Sequence, residues 1–359
     1  MSSLQPLVKG RGARSNASGR FESRVNEAFD DGWTLEDPEP AQLQTVVLPD
    51  RAKTIITRNS SPDIHFDRSI NPYRGCEHGC IYCFARPNHA YLGLSPGLDF
   101  ESRLFFKPEA ARLLTAELSR KGYTPKHIQI GADTDPYQPL ERKLRVTRQV
   151  LEVLRRFGHP LTIITKSNLI TRDADILGEM GRANIARAAI SITTLDRRLA
   201  RSMEPRAATP QRRLDAVRAL TEAGCPVTVM FAPVIPGLND HELEAVLEAS
   251  AEAGATAAGY VMVRLPLEIA DLFQEWLKTD HPDRADRVMS LIRQTRRGKA
   301  YTSEFGVRGR GEGPIAELVA ARFRAARKRY GLERPKEALD VAAFRVPPKA
   351  GDQMDLFSL

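Results

Sequence analysis

Three of the four cysteines in this 359-residue chain, Cys76, Cys80 and Cys83, stand together in one short segment. Their spacing, C-x3-C-x2-C, brings soft thiolates close enough to bind one metal centre and makes them poor disulfide partners for each other. On a four-iron cluster, three thiolates leave one iron open to a substrate or a cofactor. So few cysteines exclude a disulfide framework and favour a reducing compartment.

A zinc site is the alternative interpretation of the same segment. A structural zinc ion takes four protein ligands. The fourth cysteine, Cys225, lies 142 residues after Cys83 at the start of a predicted strand, at the end opposite the predicted loops. His78 or His89 would therefore have to complete a zinc site.

The cysteine segment follows the first of six short apolar runs, which alternate with amphipathic helical patterns. Continuous apolar runs indicate strands buried on both faces, and their alternation with helices predicts a parallel sheet joined by right-handed crossovers. A doubly wound sheet and a partial barrel both satisfy this pattern. The expected strands are residues 69–71, 128–130, 161–164, 189–192, 227–231 and 259–263. The expected helices between them are residues 110–120, 145–157, 172–182, 209–223 and 241–253.

Polar residues follow the carboxyl ends of these strands, where parallel β/α folds build their sites. Side chains two apart on one strand share a face, which places Ser191 and Thr193 together. The candidate site residues are Asp133 and Asp135 after the second strand, Lys166 and Ser167 after the third, Ser191 and Thr193 at the fourth, Pro236 and Gly237 after the fifth, and Arg264 after the sixth.

With Tyr82 before its last cysteine, the segment resembles the signature loop of the radical S-adenosylmethionine (radical SAM) superfamily, over roughly residues 64–272. The resemblance implies an α/β fold, a partial (β/α)6 TIM-like barrel, with a [4Fe–4S] cluster on Cys76, Cys80 and Cys83. It also implies that S-adenosylmethionine binds the open iron and is cleaved by one electron to methionine and a 5′-deoxyadenosyl radical, which abstracts hydrogen from the substrate. An electron donor such as flavodoxin or ferredoxin would supply that electron.

The resemblance also suggests roles for the candidate site residues. The alternatives are capping of the next helix for the two aspartates, ordinary loop polarity for Lys166 and Ser167, filling of barrel space for Ser191 and Thr193, and a surface charge for Arg264. The suggested contacts are the cofactor amino group for Asp133 and Asp135, its carboxylate or the substrate for Lys166 and Ser167, the ribose for Ser191 and Thr193, the adenine for Pro236 and Gly237, and a carboxylate or phosphate for Arg264.

Within the superfamily, residues 71–76, 131–141, 165–167 and 234–240 are similar to the spore photoproduct lyase branch, often called DNA repair photolyase-like. The lyase carries a hydrogen-donor cysteine at the end of the second strand. Here that place reads Ile130-Gly131-Ala132-Asp133, without a cysteine. The resemblance therefore implies a nucleic-acid substrate but not the lyase's own route of hydrogen donation.

Positive charge is concentrated near the two ends of the chain. The net charge is +8, and 15 Lys or Arg stand against 5 Asp or Glu between Arg284 and Lys336. Basic ends on a mildly acidic body are expected of a protein that meets a polyanion such as DNA, and a solubilising surface is the alternative. We expect a basic, partly flexible extension over residues 1–60 that drapes over the body or stays mobile, a barrel over 61–275, and a basic helical region over 276–345.

The basic C-terminal region offers two candidate contacts for a phosphate backbone. They are the Gly/Arg loop of residues 306–313 and a predicted helix over residues 315–330, whose apolar positions 315, 318, 319, 322/323 and 326 would face the barrel. A solvated basic face is the alternative. The cations expected to contact phosphates are Arg308, Arg310, Arg324, Arg327 and Lys328.

Residues 346–359 are predicted to be a flexible tail. It carries the pattern Gln-x-x-Leu-Phe at Gln353, Leu356 and Phe357, which resembles the short peptide that docks bacterial repair proteins on the DNA sliding clamp. Folding back of these apolar side chains onto the protein's own surface is the alternative.

Composition sets the remaining limits. With 42% hydrophobic and 27% charged residues the chain is a globular protein with a sizeable core. No apolar run approaches the roughly 18 residues of a membrane span, and we expect a cytoplasmic monomer. The sequence thus predicts a radical enzyme acting on DNA, with RNA or protein modification as one alternative and a non-catalytic, metal-stapled nucleic-acid-binding protein as the other.

Overall fold

Strands and helices alternate along the chain much as the apolar runs predict. The structure is a computed structural model that describes residues 10–22, 43–333 and 337–348. Its strands are β1 (Val46–Pro49), β2 (Ile56–Arg58), β3 (Arg68–Ile70), β4 (Tyr73–Arg74), β5 (Arg103–Phe106), β6 (Ile128–Ile130), β7 (Leu161–Thr165), β8 (Ala186–Ser191), β9 (Val227–Val234) and β10 (Ala257–Met262). Its α-helices are α1 (Leu98–Ser102), α2 (Ala110–Leu118), α3 (Glu141–Leu144), α4 (Val146–Arg156), α5 (Ala174–Arg182), α6 (Arg197–Met203), α7 (Pro210–Glu222), α8 (Leu243–Glu252), α9 (Ile269–Asp280), α10 (Ala285–Gln294) and α11 (Gly313–Arg329).

A seven-stranded sheet forms the centre of the fold, in the spatial order β10-β9-β8-β7-β6-β3-β2. Strands β3, β6, β7, β8, β9 and β10 pair in parallel in chain order. Because that order never reverses, the sheet lacks the switch point of a doubly wound fold. The architecture is therefore the expected partial (β/α)6 barrel of the α/β class. An antiparallel strand from the predicted extension, β2, is added beside β3.

Helix α4 illustrates how the apolar pattern decides the packing. Val150, Leu151 and Leu154 are fully buried, whereas Glu152 and Arg155 lie on the outer face. Burying an aliphatic side chain of this size contributes roughly 1.5–3 kcal/mol. All five predicted helices are present in the structure, with ends within two residues of the expected ones.

A second, three-stranded sheet in the order β1-β5-β4 was not expected from the sequence. It supports the cysteine segment, since β4 leads directly into it and Cys76 N donates to Phe100 O at 2.9 Å. The strands of this sheet have only two to four residues. Such short runs show no alternation that a sequence pattern can detect.

The N-terminal arm drapes over the body in residues 10–22. Arg11 is buried and donates to the Glu101 carbonyl at 2.6 Å. Arg14 pairs with Asp280 at 2.5 Å and Arg20 with Glu268 at 2.7 Å. These arginines therefore fasten the arm to the protein itself. We call residues 10–22 the strap.

Helix α11 packs on the barrel through Ala316, Val319, Phe323 and Ala326, which recur at helical spacing. The expectation for Leu318 was wrong: its side chain is 59% exposed, because it lies about a quarter turn away from that stripe. Arg322 extends the contact by pairing with Glu244 of α8 at 2.5 Å.

The Gly/Arg loop closes the open side of the barrel. Met262 N, on the edge strand β10, donates to Gly309 O at 2.9 Å. Gly306 N donates to Asp63, in the connection between β2 and β3, at 2.7 Å, and Arg308 pairs with the same carboxylate. The loop thus bridges the two edges of the sheet.

Residues 337–348 cross the opposite end of the barrel, below the amino ends of its strands. Phe344 packs on Phe157 and His159, with ring centroids 6.2 and 5.5 Å away. Arg345 N donates to Phe157 O at 3.0 Å. No helix in the described part of the chain is both long and apolar enough to cross a membrane.

Candidate functional site

The cysteine segment lies at the carboxyl end of the barrel strands, as predicted. Cys76 and Cys80 are buried and Cys83 is half-buried. Cys80 packs among the apolar side chains at this end, whereas Cys83 contacts both that cluster and the one around Cys76. Cys225 belongs to the main core below and takes no part in this arrangement.

A buried ion pair between Arg86 and Glu101 holds the cysteine segment in place. Both side chains are fully buried. The Arg86 guanidinium also donates to backbone carbonyls on two sides, and the acceptors are those of Gly79, Cys80, Pro96 and Gly97, at 2.9 to 3.2 Å. The segment is therefore anchored through its own main chain.

The strap reaches the same carboxylate from the other side. Gly12 N and Ala13 N each donate to Glu101 at 2.8 Å. A Cβ atom on Gly12 would lie 1.7 Å from Gly79 O, inside van der Waals contact, so only glycine allows this approach. The backbone of the strap therefore lies directly against the cysteine segment.

Gln138, in the loop after β6, supports the segment from within the barrel. Its amide oxygen accepts from Glu77 N at 2.9 Å, and its amide nitrogen donates to Gly75 O at 3.2 Å. Gln138 is fully buried, and both groups of its amide are satisfied.

The chemistry of the three thiols suits a cationic metal centre. Burial raises the pKa of Cys76, Cys80 and Cys83, so that the thiols stay protonated on their own. The charge of Lys166 acts in the opposite direction on Cys80 and Cys83. An iron cluster would stabilise the thiolates in the same way, so these residues fit such a group. Among the described residues, no three His, Cys, Asp or Glu side chains converge on one ion position.

Both histidines considered for zinc have partners within the protein. His78 Nδ1 lies 3.2 Å from Asp135 Oδ2. His89 Nε2 lies 2.9 Å from the Arg103 carbonyl oxygen, and burial lowers the pKa of His89 to about 4. His89 is therefore engaged by the main chain, whereas His78 makes this ion-pair contact but no hydrogen bond at Nδ1 in the described residues.

Asp135 connects two loops of the site. Its carboxylate accepts from Thr165 Oγ1 at 2.6 Å, Tyr137 N at 2.9 Å and Lys166 N at 2.8 Å. Burial raises its pKa, but the charge of His78 and these hydrogen bonds outweigh burial and lower the pKa to about 2. Its oxygens are thus committed to positioning the loops after β6 and β7, and not to capping α3.

The Asp133 carboxylate accepts fewer hydrogen bonds than that of Asp135. Its carboxylate accepts from Asn88 Nδ2 at 2.6 Å, in the turn that follows Cys83, and its backbone N donates to Asn71 Oδ1 at 2.9 Å. Burial raises the pKa of Asp133. Of the two aspartates, Asp133 therefore keeps more acceptor capacity for a ligand.

Lys166 and Ser167 have different environments. The Lys166 ammonium lies 5.8 Å from the centroid of the Tyr82 ring. Ser167 Oγ accepts from Leu169 N at 3.2 Å and caps the short helical turn of residues 168–173. Lys166 is thus a cation directed toward the cysteine segment, whereas Ser167 stabilises local backbone.

Glu204, which the sequence analysis missed, is the centre of a buried network. Its carboxylate accepts from Tyr82 Oη, Thr193 Oγ1 and the guanidinium of Arg213. Arg213 also donates to the carbonyl of Ser191 at 3.1 Å. Burial raises the pKa of Glu204, but Arg213 and Lys166 outweigh it and lower the pKa to about 2.

The network connects the aromatic residue of the cysteine segment to β8. It places Ser191 and Thr193 as neighbours, as expected, but Thr193 Oγ1 is already used by Glu204. Glu204 follows the end of α6 directly, and nothing in its sequence context distinguishes it from the exposed glutamates of other helices.

The loop after β9 is built around Asn239. Its amide nitrogen donates to Thr193 O at 2.7 Å, and its oxygen accepts from Ile235 N at 2.7 Å. Pro236 is buried in this loop. Gly237 has φ +77°, and a Cβ there would lie 2.7 Å from Leu291 Cδ1 of α10. The glycine is therefore explained by its left-handed backbone conformation, with the close approach to α10 as a smaller constraint.

Arg264, after β10, stacks on Phe84, with its guanidinium carbon 5.0 Å from the ring centroid. Its Nε is buried without a hydrogen-bond partner in the described residues. Arg264 thus lies beside the residue that follows Cys83, with an unused hydrogen-bond donor at Nε.

Two cations expected to contact phosphates are engaged elsewhere. Arg308 pairs with Asp63 at 2.5 Å, and Arg327 lies 3.6 Å from Glu333. Arg310, Arg324 and Lys328 are exposed. The basic surface of this region is therefore smaller than the sequence predicts.

Comparison with known proteins gives results consistent with this geometry. The sequence model of the radical SAM superfamily matches residues 70–249. An uncharacterized protein of Mycobacterium tuberculosis is 36% identical over 231 residues, which are 64% of this chain and 68% of that one. A radical SAM Nalpha-GlyT isomerase of Pseudomonas phage M6 is 25% identical over 173 residues, 48% of this chain and 34% of the isomerase.

Solved structures of spore photoproduct lyase have a similar fold. The lyase complexed with dinucleoside spore photoproduct matches with a TM-score of 0.56 at 12% identity, covering 79% of each chain. A lyase variant with bound AdoMet and the dinucleoside spore photoproduct matches with a TM-score of 0.54 at 14% identity, covering 80% of this chain and 78% of the other.

We expect Glu204→Gln to lower the free energy of unfolding by about 3–5 kcal/mol, because it leaves the Arg213 charge buried without its counterion. Chemical denaturation measures this. Glu179→Gln is the matched control: it breaks an exposed pair with Arg155, 3.2 Å apart, and should cost no more than about 1 kcal/mol.

The difference between wild type and Glu204→Gln should also depend on pH. A carboxyl whose folded pKa is lowered stabilises the fold above its unfolded pKa and loses that effect as the folded pKa is approached. Because the pKa of Glu204 falls from the ordinary glutamate value of 4.5 to about 2 in the fold, the deficit of the variant should shrink as the pH falls from about 5 to 2. A deficit that stays constant over this range would contradict an ionised Glu204.

Proposed function

Because the chain belongs to the radical SAM superfamily, we propose that it is an enzyme that carries out radical chemistry on DNA, as in lesion repair. Its cofactors are those of the superfamily, a [4Fe–4S] cluster and S-adenosylmethionine. When bound, these supply the electron transfer that cleaves S-adenosylmethionine to methionine and a 5′-deoxyadenosyl radical. The observation that carries the proposal is the cysteine segment, anchored by Arg86 at the mouth of the barrel with three thiols on one loop.

Cys76, Cys80 and Cys83 would hold the cluster, and four other residues remain available for S-adenosylmethionine. Lys166 matches a carboxylate by charge, Asp133 an amino group, and Ser191 a ribose hydroxyl. Arg264 matches a carboxylate or a substrate phosphate. Asp135, Ser167, Thr193 and the Pro236–Gly237 turn would act indirectly, by positioning the loops that carry these groups.

A DNA substrate is supported by one protein of similar fold and by charge. The lyase of similar fold was solved with a dinucleoside photoproduct, and the chain itself has a pI near 9.4. The lyase's hydrogen-donor cysteine has no counterpart here, because Gly131 follows β6 directly. Cys225 does not replace it: it is buried in the main core, where burial raises its pKa to about 12. We therefore propose a reaction that does not return hydrogen from a cysteine at this position.

Cys80→Ala should abolish both iron loading and S-adenosylmethionine cleavage, because two thiolates do not anchor the cluster. Iron and sulfide analysis after anaerobic purification, with deoxyadenosine formation under reduction, measures both. Cys225→Ala is the matched control and should retain both.

A full iron and sulfide content and undiminished deoxyadenosine formation in Cys80→Ala would contradict the assignment of Cys80 as a cluster ligand. A colourless wild-type protein with stoichiometric zinc would instead establish the metal-stapled binding protein.

The exposed cations of the C-terminal region are proposed to contact the DNA backbone. Replacing Arg310, Arg324 and Lys328 by Gln should reduce the slope of log K against log salt concentration by up to about three. The reason is that each phosphate that is no longer contacted keeps its counterion. Titration of a duplex at several salt concentrations measures this. The control, with the same charge change, replaces Arg112, Arg155 and Arg218, which are exposed on other helices. Equal slopes for the two variants would assign the cations to solubility.

Docking on the DNA sliding clamp is proposed for residues 353–357, which lie outside the described residues. Leu356 and Phe357 would act as apolar anchors and Gln353 as a hydrogen-bonding group. Truncation after Gly351 should abolish binding of purified clamp in a titration, without affecting S-adenosylmethionine cleavage. Equal binding by both forms, or none by either, would contradict the clamp contact.

The remaining proposals concern the protein's setting. A small reductant such as flavodoxin or ferredoxin would deliver the electron. We propose a cytoplasmic location, because thiols of this kind need a reducing compartment. We also propose that the protein is a monomer.

A further inference from the structure

Exposed large aromatic side chains are concentrated at one place on the protein. In the described residues they are Phe21, Phe84, Tyr91 and Phe305, with 46% to 69% of each residue exposed. Phe84 directly follows the cysteine segment, and contacts connect the other three to the segments around it. We call these four side chains the aromatic rim.

Phe84 is the rim residue nearest the thiols, since it directly follows Cys83. Arg264 stacks on it at 5.0 Å. Arg264 begins the loop after β10, so this pair joins the cysteine segment to the last strand of the barrel.

Phe21 and Tyr91 form the second part of the rim, on the strap and on the turn after the cysteines. Their ring centroids are 5.1 Å apart. The Arg20 guanidinium lies 5.4 Å from the Phe21 ring and 6.0 Å from the Tyr91 ring. Arg20 also pairs with Glu268, four residues after Arg264. The two rings therefore lie beside the loop that carries Arg264.

Phe305 forms the third part, directly before the Gly/Arg loop that closes the barrel. The guanidinium of Arg308 lies 4.7 Å from its ring centroid. Met262, two residues before Arg264, donates its backbone N–H to Gly309 O at 2.9 Å, so the Gly/Arg loop lies beside the strand end that leads to Arg264. The rim therefore continues from Phe84 past Arg264 to Phe305.

Each part of the rim combines an exposed ring with a guanidinium plane. Packing within the protein does not account for rings that are about half exposed. Arg264 and Arg310 make no ion pair in the described residues and remain available for phosphates. Rings and guanidinium planes bind unstacked bases, and free cations bind the backbone between them.

We propose that the aromatic rim binds unpaired bases of a nucleic-acid strand on both sides of the reacting position. The inference rests on the proposed function, which it refines: the substrate is engaged with its bases unstacked, not as an intact duplex. A duplex buries its base faces and would offer the rim only its backbone. The strap contributes Phe21 and is thus part of the substrate site.

The test measures binding to the full-length protein with its cluster by fluorescence anisotropy. The two probes are an oligothymidylate of about 12 nucleotides and a duplex of equal length. Tyr91→Ala and Phe305→Ala should each weaken single-strand binding about tenfold, with an unchanged salt slope, because a stacking surface is lost and no charge is removed. Duplex binding should change less than about threefold. Phe305→Trp should retain single-strand affinity, and Leu318→Ala, an exposed aliphatic change on α11, should have no effect.

The outcomes separate the two proposals. Nucleic-acid binding that none of the ring variants weakens would overturn the rim and leave the proposed function standing. Equal losses for single strand and duplex would overturn the requirement for unstacked bases. Wild-type protein that binds neither probe, yet cleaves S-adenosylmethionine, would overturn both the rim and the DNA substrate.

Discussion

The buried ion pair of Arg86 and Glu101 is the interaction on which the rest of the site depends. The Arg86 guanidinium donates to the main chain of the cysteine segment, and the Glu101 carboxylate accepts from the backbone of the strap. Removing either partner of such a pair leaves a buried charge without compensation and typically costs about 3–5 kcal/mol. The pair is therefore a requirement for the shape of the loop more than a source of stability. A metal centre that needs three thiols in fixed places benefits from a loop held by its own carbonyls.

A second buried charge cluster performs the same task on the inner side. Glu204 joins Tyr82 to Arg213, and Arg213 continues to the carbonyl of Ser191. The cysteine segment is thus fixed to the small sheet and the strap on one side and to β8 on the other. The charge of Lys166 lowers the pKa values of Cys80, Cys83 and Glu204. This arrangement keeps a positive charge beside the aromatic ring of the cysteine segment.

Sequence patterns predicted the barrel and the cysteine segment because both are local or periodic. Six apolar runs predict the strands of the barrel, and one C-x3-C-x2-C spacing predicts the cysteine segment. The predicted helix ends agree with the structure within two residues. Glu101 and Glu204 were not predicted, since their partners lie as far as 122 residues away in sequence and no periodicity marks such contacts. The hydrogen bonds of Asp135 and Thr193 were not predicted, for a related reason. Their position at the carboxyl ends of strands indicates a site, but only the fold shows that their oxygens already have partners.

The Gly/Arg loop has a consequence for the behaviour of the protein at high concentration. An incomplete barrel ends in a strand with unpaired backbone groups, and such an edge invites pairing with the edge of another molecule. Here Met262 N is taken by Gly309, and Ala257 at the other end of β10 bridges to Glu333. The region that follows the barrel in the chain therefore also protects its last strand. Loss of that region would expose a template for intermolecular β-pairing, so aggregation should accompany any damage to it.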